Sequence, residues 1–310
     1  MLVVLFLLSF GAVAAAQDST SVLSVDSLAF VQRDGRTLYL DVYRPVHPRA
    51  DQACVVYLFG GGFYNGARND SESRGTCAAL TARGFVAVSV DYRLGLRETD
   101  MDTVGLFTLT RPFERSINWA VEDCCAAVAY LCAHADDLGI DTSKIVLTGS
   151  SAGAITVLQA DYCRANHLAQ ASVLPSGFRP LAVVTYSGAL LLRRGKLRYE
   201  TPPAPTCLFH GTKDKIVNYN CFGVSTRQGL RGSSKVVKTF KRNNYPYWIM
   251  RFEGRGHEVC HYLPFTLDEF TAFVDAAAAG RRTHYDATCS DDALPTTPYT
   301  NMTIWQLYSK

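Results

Sequence analysis

The sequence predicts an α/β fold, with a mostly parallel central sheet of about eight strands, helices on both faces, and little or no cap domain. Two observations carry this expectation. Short apolar runs rich in Val, Ile, Leu and aromatics recur along most of the chain, and stretches of helical period separate them. The chain has 310 residues, 48% of them hydrophobic, enough for one large domain with a substantial core.

The elements follow in order. Residues 1–16, MLVVLFLLSFGAVAAA, form an apolar run ending in small residues. They are expected to be a secretory signal peptide, too short for a membrane span, with Gln17 as the mature start. Export predicts a secreted or periplasmic protein of bacterial type. A single domain is expected over residues 17–285 and a C-terminal surface tail over 286–310. SLAFVQR and TLYLDVYRP, separated by DG, predict a hairpin. ACVVYLF, GFVAVSVDY, KIVLTG, LAVVTYSG, PTCLFHG and YWIMRFEG predict buried strands. SRGTCAALTARG, INWAVEDCCAAVAYLCAHADDLG, AGAITVLQADYCRAN, YNCFGVSTRQGL and PFTLDEFTAFVDAAAAG predict helices. Residues 94–114 and 188–204 have little period, and are expected as long loops forming a partial lid or substrate wall.

Composition narrows the function. The formal net charge is only +3 and the Lys and Arg residues are scattered. Nothing therefore points to nucleic acid or to stable membrane insertion. Ten cysteines in an exported chain allow one or two disulfides, with Cys260 and Cys289 as candidates, although many sit in apolar runs. There is no C-x-x-C, so a thiolate zinc site is not expected.

The chemistry is expected beyond the carboxyl ends of the strands, where open sheets of this kind place their sites. KIVLTG runs into Gly149-Ser150-Ser151-Ala152-Gly153, a G-x-S-x-G turn between a strand and a helix. Such a turn is too tight for side chains at its flanks and exposes the hydroxyl at its apex, making Ser151 the candidate nucleophile. Gly60-Gly61-Gly62-Phe63 follows the strand ACVVYLF. The N–H groups of Gly61, Gly62 and Ala152 are the candidate oxyanion hole. Asp214 in HGTKD and His257 in GRGH follow two further strands, in the chain order Ser, Asp, His that a triad on such a sheet takes. Asp286 is the fallback acid, Glu258 a neighbouring surface charge, and His210 a structural residue. Phe63, Tyr64, Ser150, Phe107 and Tyr186 are candidate substrate contacts.

HEVCH at 257–261 also matches H-E-x-x-H, the zinc-protease pattern. That chemistry needs both histidines on one helix, whereas GRG precedes them and Pro264 predicts a helix starting near Leu263. HEVCH is therefore expected on a loop, with His261 at the edge of the site. No metal or cofactor is expected.

LDVYRP, GGGF, VDYRL, EDCCAAVAYL, GSSAG, HGTKD and GRGH together resemble the α/β-hydrolase superfamily, in its carboxylesterase and hormone-sensitive-lipase-like branch. The resemblance spans roughly residues 25–280. It implies a serine esterase working through an acyl-enzyme on a small-molecule or oligosaccharide ester, in the style of exported bacterial esterases that remove feruloyl or acetyl groups from plant polysaccharides. A non-catalytic carbohydrate-binding homologue and a dipeptidase-like hydrolase are the alternatives. One departure stands out: the family loop begins His-Gly-Gly-Gly, and here Phe59 holds the first position.

Overall fold

The alternation of strand and helix is realised in the computed structural model, which describes residues 22–99, 106–225, 228–290, 293–303 and 306. The expected signal peptide lies outside the described residues. β1 (Val22–Arg33) and β2 (Arg36–Pro45) form the hairpin. Its two-residue turn, Asp34-Gly35, has positive φ at both positions (52° and 74°), the hand that matches strand twist. β3 (Cys54–Leu58), α1 (Ser71–Thr81), β4 (Val86–Val90), α2 (Leu106–Ala133), α3 (Ala135–Leu138), β5 (Ile145–Ser150), α4 (Ala152–Ala165) and β6 (Ala182–Tyr186) follow. Then come β7 (Ala189–Leu192), β8 (Thr206–Gly211), β9 (Cys221–Ser225), β10 (Gln228–Gly232), α5 (Ser233–Asn243), β11 (Tyr247–Phe252), α6 (Leu267–Ala278) and β12 (His284–Cys289).

Nine of these strands make one sheet in the order β1-β2-β4-β3-β5-β6-β8-β11-β12, parallel from β4 onward. Only β1 and β2 run antiparallel to their neighbours. Alternating side chains split the core between two faces: Leu208 of β8 packs with Val236, Val237 and Phe240 of α5, while Cys207 and Phe209 pack with Phe270 and Phe273 of α6. The chain steps from β3 out to β4 and returns to β5 on the other side of β3. The crevice of such a sheet opens beyond the carboxyl ends of β3 and β5 at that reversal. Arg93, just after β4, binds Asp123 of α2 through its backbone N–H (2.8 Å) and guanidinium (2.9 Å), fixing the frame behind the crevice.

Several local expectations give way. YNCFGVSTRQGL is not helical: it supplies β9 and β10, which join β7 in a small antiparallel sheet. Gly223 and Gly229 take φ of 153° and 126°, values open to glycine and foreign to a helix. The loop expected over 188–204 therefore contains a strand. The one expected over 94–114 contains the start of α2, with Pro112 inside the helix. In place of a helix starting near Leu263 there is a 3-10 turn, Leu263–Phe265, and α6 begins at Leu267. β12 pairs in parallel with β11, so the boundary expected at 285/286 falls within a strand. Its side chains are mostly exposed and polar, which hid an edge strand held by backbone bonds. The ten cysteines, Cys260 and Cys289 included, form no disulfide. Among the described residues no helix is long and apolar enough to cross a membrane.

Candidate active site

Ser151 occupies the single residue between β5 and α4 at φ 49°, ψ −114°, a backbone conformation that a side chain strains to adopt. The flanking glycines make this possible. A Cβ on Gly153 would lie 1.9 Å from the Leu58 carbonyl oxygen, and one on Gly149 would lie 2.5 Å from the Gly153 carbonyl carbon. The Ser151 N–H donates to the Tyr186 carbonyl (2.9 Å), tying the turn to the end of β6.

The glycine loop lies against this turn. A Cβ on Gly60 would meet that of Ser151 at 3.4 Å. Gly61, Gly62 and Phe63 all have positive φ, at 105°, 63° and 61°, and the Gly61 carbonyl accepts from the N–H groups of Tyr64 and Asn65 at 3.0 and 2.9 Å. Phe59 turns away from the crevice and stacks on Tyr92, with centroids 4.5 Å apart, and the Tyr92 hydroxyl donates to the Phe59 carbonyl at 2.8 Å. Stacking thus supports the loop where the family uses a histidine. Tyr92 lies within VDYRL, and its role in holding this loop was not legible from that motif.

His257 and Asp214 arrive from the ends of β11 and β8. The His257 Nε2 lies 2.8 Å from the Ser151 Oγ, and its Nδ1 lies 2.8 Å from the Asp214 Oδ2. The other carboxylate oxygen of Asp214 accepts the N–H groups of Ile216 and Val217, both at 2.9 Å. His210 Nε2, 2.8 Å from the Val217 carbonyl, must be protonated to donate to it, and it also stands 3.3 Å from Asp214 Oδ2. His210 Nδ1 is then left to accept from Ser233 Oγ at 2.7 Å. His210 is structural, as expected, and its place is beside the acid. Burial pushes the Asp214 carboxyl up, but His257 and His210 outweigh it and hold it well below the usual carboxylate range. The acid is thus ionised at neutral pH, so the His257 proton sits on Nδ1 and Nε2 faces Ser151 as an acceptor.

A depressed folded-state value contributes stability above the ordinary carboxylate value, and that contribution disappears as the pH falls through the folded value. We therefore expect the difference in unfolding free energy between wild type and Asp214→Asn to shrink as pH drops below about 4, the ordinary carboxylate value. Urea titrations at pH 7 and pH 3 check this, and an unchanged difference would contradict it.

The remaining candidates separate. Asp286 lies on β12 bound to Arg251 and Lys241, away from His257. Glu258 is fully buried instead of being a surface charge. HEVCH forms a 3-10 turn in which both ring nitrogens of His257 are already engaged, while His261 Nδ1 meets Glu72 Oε1 at 2.6 Å. The two histidines therefore do not form a ligand pair. Phe63 is fully buried between Tyr92 and Phe113, a core residue and not a crevice contact. Tyr64 is half-buried on the glycine loop. Phe107 lies on the α2 backbone, and its side chain lies outside the described residues. Ser150 and Tyr186 line a cavity of about 130 Å³, together with Tyr57, Glu72, Cys260 and His261. Tyr299 stands edge-on to His257 with ring centroids 6.4 Å apart. The cavity and Tyr299 left no pattern in the sequence, because they arise from segments far apart along the chain.

Comparisons with known proteins find esterases and lipases. The chain is 34% identical to Lipase 2 of a Moraxella species over 104 residues, covering 33% of this chain and 20% of that protein. It is 32% identical to human Carboxylesterase 5A over 123 residues, covering 39% of this chain and 19% of that protein. It thus spans about a fifth of the length of these relatives. Among solved structures it resembles native esterase 2 of Thermogutta terrifontis at a TM-score of 0.56 and 21% identity, covering 83% of this chain and 92% of that one. The fold is that of an α/β-hydrolase. The model of the carboxylesterase family matches residues 14–197, and the chain belongs to that family.

Proposed function

We propose that the protein is a serine carboxylesterase that hydrolyses short-chain carboxylic esters through an acyl-enzyme. One observation carries the reading: an unbroken hydrogen-bonded line from Ser151 through His257 to Asp214, with both links at 2.8 Å. In this reading Ser151 Oγ attacks the ester carbonyl as His257 Nε2 takes its proton, and the N–H groups of Gly61, Gly62 and Ala152 hold the oxyanion. The imidazolium, stabilised by ionised Asp214, returns the proton to the leaving alcohol. Water, activated by the same ring, then releases the acid.

In this reading the acyl group enters the cavity lined by Ser150 and Tyr186, whose size favours small groups. A cavity of about 150 Å³ accommodates benzene, and this one is about 130 Å³. A feruloyl group has roughly twice the non-hydrogen atoms of benzene, so of the two acyl groups that the sequence resemblance implies, acetyl fits better. The nearly buried hydroxyl and imidazole point the same way, since Ser151 is 6% exposed and His257 2%. Acetyl esters of carbohydrate hydroxyls are the natural-substrate reading. The test is a series of p-nitrophenyl acetate, butyrate and octanoate with methyl ferulate and a peptide anilide. We expect a burst of p-nitrophenol equal to the enzyme concentration, the highest kcat/KM on acetate or butyrate, and no anilide cleavage. Anilide cleavage would favour the dipeptidase-like reading, and no turnover at all would favour a non-catalytic homologue.

The Glu72–His261 pair bounds the cavity, which yields a specificity prediction. Glu72→Ala removes a wall and frees His261, so longer chains should gain relative to acetate. A misfit methylene costs about 1–3 kcal/mol, so the octanoate-to-acetate ratio of kcat/KM should rise about ten-fold or more. An unchanged ratio would place the chain elsewhere.

A further inference from the structure

Cations that look scattered in the sequence gather on two segments that meet in space. Arg193, Arg194, Lys196 and Arg198 lie on the segment leading towards β8, and Lys235, Lys238 and Arg242 lie on α5 at i, i+3 and i+7; all seven are exposed. The two segments meet around a pocket of about 350 Å³ lined by Lys196, Arg198 and Arg242, with Tyr199 and Tyr245. None of these three cations pairs with a carboxylate among the described residues. Elsewhere arginines are commonly paired, as in Arg93 with Asp123 or Arg68 with Asp41 and Asp91.

The two tyrosines are built in. Tyr199 and Tyr245 meet at 5.9 Å and 87°, and each also meets Phe240 edge-on, at 5.9 and 5.6 Å. They give the pocket a rigid aromatic side. Arg242 at the carboxyl end of α5 is favoured there by the helix dipole. That accounts for one cation and leaves Lys196 and Arg198, which come from a different segment. Like charges gathered around one cavity repel, and a bound anion would relieve the repulsion. The volume lies at the lower end of the range for small-ligand sites, enough for one or two sugar rings.

We propose that this pocket binds an acidic saccharide, its carboxylate or sulfate held by Arg198, Arg242 and Lys196 and its ring packed on Tyr199 and Tyr245. The flanking Arg193, Arg194, Lys235 and Lys238 extend the contact along a polyanionic chain. The pocket stands apart from the esterase site. Thr201 N–H, just beyond it, bonds at 2.9 Å to the carbonyl of Ala165 at the far end of α4, a 14-residue helix whose other end adjoins Ser151. At about 1.5 Å per residue the separation is about 20 Å. The site is therefore an anchor that retains the protein on an acidic glycan, and not part of the ester-cleaving machinery.

Isothermal titration calorimetry tests this with four probes at low salt: a heparin hexasaccharide, a hexagalacturonate, inorganic sulfate and a single-stranded oligonucleotide. We expect one or both saccharides to bind, and the double variant Arg198→Gln/Arg242→Gln to weaken that binding at least ten-fold. Tyr245→Ala should weaken saccharide binding more than any sulfate binding. Binding of both saccharides identifies carboxylate as sufficient; binding of heparin alone identifies sulfate. Each variant is first matched to wild type in thermal unfolding, and Lys196→Gln/Arg198→Gln replaces the double variant if it fails that control. No saccharide binding, equal binding by the variants, or tighter binding of sulfate or the oligonucleotide would each overturn the proposal.

Discussion

Replacing Ser151 by Ala is expected to lower kcat for p-nitrophenyl acetate by roughly a million-fold, the scale seen when a triad nucleophile is removed. The loss should fall on the chemical step alone. The hydroxyl is the only group removed, the Ser151 N–H that binds the Tyr186 carbonyl remains, and so does the close packing of Gly153 on Leu58. Alanine also relieves nothing in the backbone, because the positive φ at this position belongs to the turn and not to the side chain. Stability should change by no more than about 1–3 kcal/mol, because the one bond lost is that to the buried His257 Nε2. Substrate binding, read as KM or as inhibition by a non-hydrolysable ketone, should stay within a few-fold. A variant that keeps more than about one part in a thousand of wild-type kcat, well above the expected residue, would mean that another group attacks the ester. The burst of p-nitrophenol must vanish in the same variant, since no acyl-enzyme forms without Ser151 Oγ.

The parts of this site that the sequence made legible are those that backbone geometry forces. A strand, a turn too tight for side chains and a helix leave few residue choices, so Gly149, Ser151 and Gly153 announce themselves. Asp214 and His257 were legible because each follows a buried strand, and parallel strands deliver their following loops to one end of a sheet. What stayed hidden depends on contacts between distant segments. Phe63 reads as a crevice aromatic because it follows three glycines, yet its positive φ turns the ring into the core against Phe113. Glu72 and His261 are 189 positions apart, and only the packing of α1 beside the HEVCH turn makes them a pair. The β9–β10 hairpin failed for another reason. Its two strands are short, and the apolar residues in YNCFGVSTRQGL fall at spacings that a helix would also satisfy.

Asp214→Asn is expected to lower kcat by about 10⁴-fold, the scale known for a triad acid replaced by its amide. Shape is conserved in this substitution, so the effect must come from protons. In the native site all the contacts to Asp214 are donors: Ile216 and Val217 N–H to one oxygen, and His257 and His210 to the other. An amide offers only one acceptor atom. Keeping its oxygen on the two backbone N–H groups turns the NH₂ toward His257, which must then present Nδ1 as an acceptor and carry its proton on Nε2. That proton faces Ser151 Oγ, 2.8 Å away, so the ring can no longer accept the serine proton. The opposite amide orientation preserves the His257 tautomer and leaves two buried backbone donors unpaired, each costing about 1–3 kcal/mol. His210, held by Ser233 and the Val217 carbonyl, cannot turn away to accept the NH₂ without breaking both bonds. The first orientation therefore prevails, and activity is lost with little change in KM. Asp286→Asn serves as the control, because that carboxylate is committed to Arg251 and Lys241. It should leave kcat within a few-fold of wild type, and an equal loss in the two variants would contradict the assignment of Asp214.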